Sequence, residues 1–243
     1  MIRSSALTDI GLKRENNQDF VFVSNLGVGR LDSLFVVADG MGGHNGGGTA
    51  SDVAVETMLS RIRESSFESA RSILLDAVEE ANRAIFRLSE SEIGLKGMGT
   101  TIVCCSISGT DMEVVNVGDS RLYVCRDRLQ QITVDHSLVE EMVRAGELSR
   151  REARNHPDRN IITRAVGVKE DVDADCFHVR LERDDIVLLC SDGLTNMTDS
   201  RTIWDILNRD ITVEEKAEML VDSAKAGGGR DNISVIVIDP FAV

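Results

Sequence analysis

The chain has 243 residues, with 41 acidic against 27 basic side chains and a formal net charge of −14. So acidic a surface disfavours non-specific binding to nucleic acid, which needs a basic footprint, and any enzyme acting on phosphate here would need cations to offset its own field. The length suits one well-buried domain over 1–243, and no repeat, low-complexity block or second unit interrupts it. No apolar stretch approaches the roughly 18 residues of a membrane span. Residues 1–5 lack the apolar core of a signal peptide. The five cysteines (Cys104, Cys105, Cys125, Cys176, Cys190) form no C-x-x-C pair, which fits a reducing compartment and a cytoplasmic location.

In chain order, strands are expected over 20–23 and 34–38, followed by a glycine-rich loop over 40–48. Ala50, Val53, Ala54, Thr57, Met58 and Ile62 then form one face at helical spacing. A second helix carries Leu74, Ala77, Val78, Ala81, Ile85 and Leu88, with a capping-box pattern from Ser65 to Glu68 marking its start. Strands follow over 101–107, 112–117, 121–125 and 129–134, joined by turns short enough to make antiparallel neighbours. The polar, Arg-rich stretch 136–160 is expected to hold two short helices, one opened by a Ser149–Glu152 capping box. Strands resume near Ile161, over 176–179 and over 186–190; helices cover 202–207 and the face Val213, Ala217, Leu220, Val221 and Ala224; the last strand is 233–238. Early helices, many antiparallel strands and late helices predict an α+β fold of stacked sheets covered by helices on both outer faces.

Four apolar runs end or begin on an aspartate: Asp39 after 34–38, Asp119 after 114–117, Asp192 after 186–190 and Asp231 before 233–238. A carboxylate just past a buried strand sits where sheet meets solvent, so several strands can aim acids at one point. Carboxylates gathered in this way repel one another unless a cation holds them. The pattern therefore points to a hard-metal site.

Other chemistries fail on spacing. The glycine-rich loop does not match G-x-G-x-x-G, since the sixth position from Gly40 is Asn45, and no G-x-x-x-x-G-K-[ST] exists. It reads either as a flexible turn or as a place where backbone approaches a metal and its substrate; Asp39-Gly40 favours the second. No cysteine has Arg six positions on, which excludes a C-x-x-x-x-x-R nucleophile loop, and Asp173 to Phe177 fails the aspartyl-phosphate pattern D-x-D-x-[TV]. The segment from Asp171 to Glu182 imitates a calcium loop but has Cys176 where glycine is required. His44, His136, His156 and His178 lack ligand spacing, although His44 and His136 neighbour the expected site. The arginines of 136–160 alternate with glutamates and read as a solvated helical face.

The ordered set Arg14-Glu15-Asn16-Asn17-Gln18-Asp19, Asp39-Gly40-Met41-Gly42-Gly43, Gly99-Thr100-Thr101, Gly118-Asp119-Ser120-Arg121, Ser191-Asp192-Gly193-Leu194 and Arg230-Asp231-Asn232 closely resembles the metal-dependent protein Ser/Thr phosphatases of type 2C, in their compact bacterial form. The resemblance covers nearly the whole chain. It implies two stacked antiparallel sheets flanked by pairs of helices, an α-β-β-α sandwich, with 136–160 as a mobile flap. It also implies that Asp39 bridges two Mn²⁺ or Mg²⁺ ions, that the Gly40 carbonyl ligates one, and that Asp192 and Asp231 complete the first ion's protein ligands. Asp119, with Asp192, would hold a weaker third ion. Arg14 would bind substrate phosphate, and Asp19 would organise metal-bound water from behind the ligands.

Oxygen-rich donors suit Mg²⁺ or Mn²⁺, and two such ions acidify a shared water and clamp a phosphoryl group. On this reading a metal-bridging hydroxide attacks phosphorus in line with no phosphoenzyme, while Arg14 neutralises the equatorial oxygens. The implied partners are phosphorylated proteins, including a Ser/Thr kinase and its substrates, with no nucleic acid and no membrane insertion, and with the enzyme a monomer. Three positions depart from the pattern. Met41 stands where animal relatives place a histidine that protonates the leaving group, Gln18 where Glu is common, and Asn196 where some relatives have an acid supporting the third ion. A rival reading is a non-catalytic phosphoprotein-binding module on the same scaffold. Loss of metal carboxylates would be its mark, and Asp39, Asp119, Asp192 and Asp231 are all present.

Overall fold

The computed structural model describes residues 1–154 and 156–242, without the side chains of 43–45. The elements run β1 (Arg3–Asp9), β2 (Asp19–Ser24), β3 (Leu34–Met41), α1 (Gly43–Glu64), α2 (Ala70–Ser91), β4 (Gly99–Thr100), β5 (Ile102–Ser108), β6 (Asp111–Val117), β7 (Arg121–Cys125), β8 (Leu129–Gln131), α3 (Leu138–Arg144), α4 (Arg150–Ala153), β9 (Asp175–Arg180), β10 (Ile186–Cys190), α5 (Asp192–Thr195), α6 (Ser200–Leu207), α7 (Val213–Ala226) and β11 (Ile233–Asp239). One sheet has the order β1-β11-β10-β7-β8. The other is β2-β3-β5-β6-β9, with β4 paired to the end of β3. Every pairing is antiparallel. Among the described residues no helix is long and apolar enough to cross a membrane.

Three apolar layers hold the sandwich together, as the α+β expectation requires. Leu34, Val36, Ala38, Cys104 and Val115 pack outward on α1 and α2 through Ala50, Ala54, Met58, Leu74 and Ala81. Leu188, Cys190, Val235 and Val237 pack on α6 and α7 through Ile203, Leu207, Ala217 and Leu220. Between the sheets lie Phe35, Val37, Val103, Cys105, Leu122, Val187, Leu189, Ile236 and Ile238. Alternate residues of one strand thus belong to different layers, the period-2 signature of a sheet buried on both faces.

That parity positions the site. Followed to one end of the sandwich, the inter-sheet face of each strand changes from apolar to polar. Val21 leads to Asp19, Val37 to Asp39, Val103 to Thr101, Leu122 to Ser120, Leu189 to Ser191, Ile236 to Ser234 and Ala6 to Thr8. The polar groups bond to each other across the layer. Ser191 Oγ donates to Asp19 Oδ2 at 2.8 Å, the Ser234 N–H donates to Ser191 Oγ at 3.0 Å, Thr8 and Ser234 hydroxyls meet at 2.8 Å, and those of Thr101 and Ser120 at 2.7 Å. A polar end satisfied in this way is tolerated inside a sandwich where isolated groups would not be.

Several boundaries differ from the sequence expectations. β1 is unpredicted, because residues 3–9 alternate only weakly; it exists by seven-residue pairing with β11. α1 begins at Gly43, so all of the glycine-rich stretch 40–48 after its first three residues is helix and not loop. Ser65 closes α1 by donating its N–H to the Ile62 carbonyl, and the cap of α2 is Ser69, whose side chain accepts from the Ser72 N–H. The strand expected near Ile161 is only an isolated bridge between Ser137 and Ile162. The expected strand 129–134 stops at Gln131. The Ser149–Glu152 capping box is formed as expected.

Candidate metal centre

A cavity of about 700 Å³ opens at the polar end of the sandwich, lined by Arg14, Gln18, Asp39, Gly40, Met41, Thr101, Asp119, Asp192, Asp231 and Asn232, among others. All the expected ligand positions and Arg14 therefore reach one space. Asp19 lies behind it, opposite Asp39 in the β2–β3 register. The elements that carry them are five: β3 supplies Asp39 and Gly40, the turn after β6 supplies Asp119, the start of α5 supplies Asp192, the approach to β11 supplies Asp231, and the loop before β2 supplies Arg14.

One local expectation is corrected. Asp39 does not lie beyond its strand, as the end of the apolar run at Ala38 implied; β3 continues to Met41 because β4 pairs with Gly40 and Met41. The Asp39 N–H donates to Thr101 Oγ1 at 3.1 Å and its carbonyl accepts from the Thr101 N–H at 2.9 Å. These bonds fix the backbone on which the carboxylate stands.

The electrostatics are those of crowded acids. Burial pushes the Asp39 carboxyl well above the usual carboxylate range, and the charges of Asp19, Asp192, Asp119 and Asp231 push it further. Asp192 is raised in the same way, by burial and then by Asp119, Asp231 and Asp19. Asp119 is pushed up to about 6 by burial and by Asp135, with Arg121 opposing. Asp19 is also pushed up to about 6 by burial, moderated by the Ser234 and Ser191 hydroxyls. The charges of neighbouring carboxylates make ionisation of Asp39 and Asp192 harder, and a cation at the centre would reverse the sign of that interaction.

Arg14, like its neighbour Lys13, is a positive group lining the cavity. Its Nη2 donates to Asp231 Oδ2 at 2.8 Å, and half of its side chain remains exposed. Asn196 Nδ2 donates to Asp192 Oδ2 at 2.8 Å, so the amide at this departure from the pattern serves as a donor, which a carboxylate could not. Among the described residues no group of three or more His, Cys, Asp or Glu side chains stands in ion-holding geometry. The acids share a cavity and a field without closing a coordination sphere. As donors they are all hard oxygens, the set that Mg²⁺ and Mn²⁺ take, and their mutual repulsion is the kind a dication relieves. The His44 side chain lies outside the described residues.

Sequence reasoning missed the residues that organise this space. Buried Asn232 accepts from the Gln18 N–H at 2.9 Å through Oδ1 and donates through Nδ2 to the carbonyls of Ile10 and Asn16, both at 3.0 Å. It thereby holds the Arg14-bearing loop against the sheets. Ser51 Oγ donates to the Gln18 carbonyl at 2.7 Å. Asn232 stands in the Arg230-Asp231-Asn232 motif that carries the resemblance, but the motif alone gives it no role.

The model of the family described as protein phosphatase 2C matches residues 13–233. The chain is 40% identical over 240 residues to a serine/threonine phosphatase stp of Listeria monocytogenes serotype 4b, covering 96% of this chain and 93% of that one. Among solved structures, a serine/threonine phosphatase of S. agalactiae superposes with a TM-score of 0.91 at 39% identity, over 98% of this chain and 99% of that one. The catalytic domain of a serine threonine protein phosphatase PstP, in complex with two manganese ions, gives a TM-score of 0.86 at 34% identity, over 98% and 97%.

Proposed function

The chain belongs to the protein phosphatase 2C family and is a protein Ser/Thr phosphatase; we propose that it removes phosphate from phosphoserine and phosphothreonine at the carboxylate cavity, using Mn²⁺ or Mg²⁺, and that it opposes a Ser/Thr kinase. The observation that carries this reading is the convergence of Asp39, Asp119, Asp192 and Asp231 with Arg14 on one cavity. The relative solved with two manganese ions supports the choice of metal.

In this reading Asp39, the Gly40 carbonyl, Asp192 and Asp231 hold two ions, and Asp119 with Asp192 holds a weaker third. Bound there, the ions supply Lewis acidity and an activated water for direct hydrolysis of the phosphate ester. The protein's own part is positional and electrostatic. Arg14 exchanges its Asp231 partner for the substrate phosphate once that carboxylate is otherwise neutralised, and offers a planar, permanently charged fork to the phosphoryl oxygens. Asp19, bonded to Ser191 Oγ, accepts a proton or a water hydrogen bond from behind the centre. Met41 lines the cavity without a transferable proton, so it cannot itself protonate the leaving-group alcohol.

Turnover of a phosphoserine peptide and of a chromogenic phosphate ester, with Mn²⁺ and after chelation, tests this. Activity is expected only with the metal. Hydrolysis that survives complete chelation would overturn the reading, and so would tight phosphopeptide binding without turnover in saturating Mn²⁺, the behaviour of a non-catalytic binding module.

A further inference from the structure

A buried histidine outside the carboxylate cluster joins three parts of the molecule. His136 opens the 136–160 segment and is 5% exposed. Its N–H donates to the Gly118 carbonyl at 2.9 Å, and its Nδ1 accepts from the Gly118 N–H at 3.1 Å. Both main-chain polar groups of Gly118 are thus held by one residue. Asn116 Nδ2 adds a bond to the same carbonyl at 3.3 Å. Gly118 has φ +110, and a Cβ there would stand 2.6 Å from Thr101 Cβ, so this turn belongs to glycine. The turn delivers Asp119 to the cavity, and the next residue, Ser120, is tied to Thr101.

The far side of the imidazole faces Asp175, at the start of β9, and Arg164, just past the segment, while the segment's far end is tied in by main-chain bonds. Nε2 lies 3.2 Å from Asp175 Oδ2 and 3.5 Å from Arg164 Nη1. The His136 carbonyl accepts from the Thr163 N–H at 2.8 Å, and the Leu138 N–H donates to Ile161 at 2.9 Å. Since Nδ1 must accept from Gly118, the ring proton sits on Nε2 and is available to Asp175. Burial holds the imidazole below its usual pKa, in keeping with a neutral ring.

We propose that His136 is a positioning residue whose imidazole ties the turn carrying Asp119 to Asp175 and Arg164, where the chain leaves the 136–160 segment, so that the carboxylate and the segment keep one fixed relation. The consequence for turnover rests on the reading of Asp119 as a metal-binding carboxylate; the mechanical coupling does not. Hydrogen exchange on the intact, metal-free protein measures the coupling directly.

In His136→Ala, exchange is expected to rise at least about tenfold at amides 117–120 and 137–163 together, with α1, α2 and α7 unchanged, as for a sub-global opening. His136→Asn can place Oδ1 where Nδ1 accepts from Gly118 yet cannot reach Asp175. It should restore protection at 117–120 and leave 161–164 loosened. Asp175→Ala should loosen 161–164 alone, and with His136→Asn it carries the test if His136→Ala does not fold. Unchanged exchange at 117–120 in His136→Ala, equal loosening there in His136→Asn, or loosening spread across α1, α2 and α7 would each overturn the proposal. If Asp119→Asn leaves turnover intact while the exchange pattern holds, the metal role of Asp119 fails and the coupling stands.

Discussion

Asp192 answers to two opposed demands, and a conservative substitution separates them. Without metal its carboxylate is partly buried and crowded by Asp119, Asp231 and Asp19, so its charge works against the fold. Asp192→Asn keeps an oxygen to accept from Asn196 Nδ2 and removes the charge. Turnover of a phosphoserine peptide should fall at least about 100-fold, about 3 kcal/mol of transition-state stabilisation. The chelated variant should melt at the same temperature as wild type or about 2–4 °C higher. Wild-type turnover would remove Asp192 from the centre. The reverse change, Asn196→Asp, replaces a donor to Asp192 with a further carboxylate. It should lower the melting temperature of the chelated protein and enlarge the rise produced by Mn²⁺; calorimetric scans with and without the ion check both. At this scale the aspartates were legible because each abuts a short apolar run. Ser191 and Asn232 were not, because their partners lie 172 and 214 positions away in the chain, and no local pattern encodes such a bond.

At the scale of an element, α5 shows where local propensity misleads. Alanine is favoured over glycine inside a helix by about 1 kcal/mol, so propensity alone predicts that Gly193→Ala stabilises the turn bearing Asp192. In the fold, a Cβ at Gly193 would land on the Asn232 carbonyl oxygen, because α5 is pressed against the start of β11. The substitution should therefore destabilise by more than about 2 kcal/mol, in the range of overpacked cores, as measured by urea denaturation. A variant as stable as wild type would mean that α5 does not need this close approach. The long periodic helices α2 and α7 and the short, strongly apolar strands β7 and β10 were readable from their own residues. β1, β4 and α5 were not: β1 is defined by pairing with β11, β4 by two residues laid against β3, and α5 by a glycine whose purpose is a neighbour's backbone.

For the whole molecule, the sandwich places an apolar interior behind a polar end, and the buried acids there link stability to protons and to metal. Asp19 and Asp119 are each raised from an ordinary value of 3.8 to about 6, by burial first, and Asp39 and Asp192 are raised in the same direction. The folded chain therefore binds more protons than the unfolded chain across that window. The stability these groups contribute is fully present below pH 3.8 and is lost as pH rises through about 6. Hydrogen-bonded carboxylates such as Asp9 and Asp199 have lowered values and act with the opposite sign at lower pH. A divalent ion competes with protons for the same oxygens and binds only the deprotonated form. The melting-temperature gain from saturating Mn²⁺ should thus be small near pH 5 and larger near pH 7.5, with the chelated protein itself less stable at the higher pH. Thermal scans at both pH values, with chelator and with Mn²⁺, read the four quantities. A gain of equal size at both would mean that the buried carboxylates are not where the ion binds, and replacing Asp39 by Asn, which removes the most crowded of them, should flatten the pH dependence if they are.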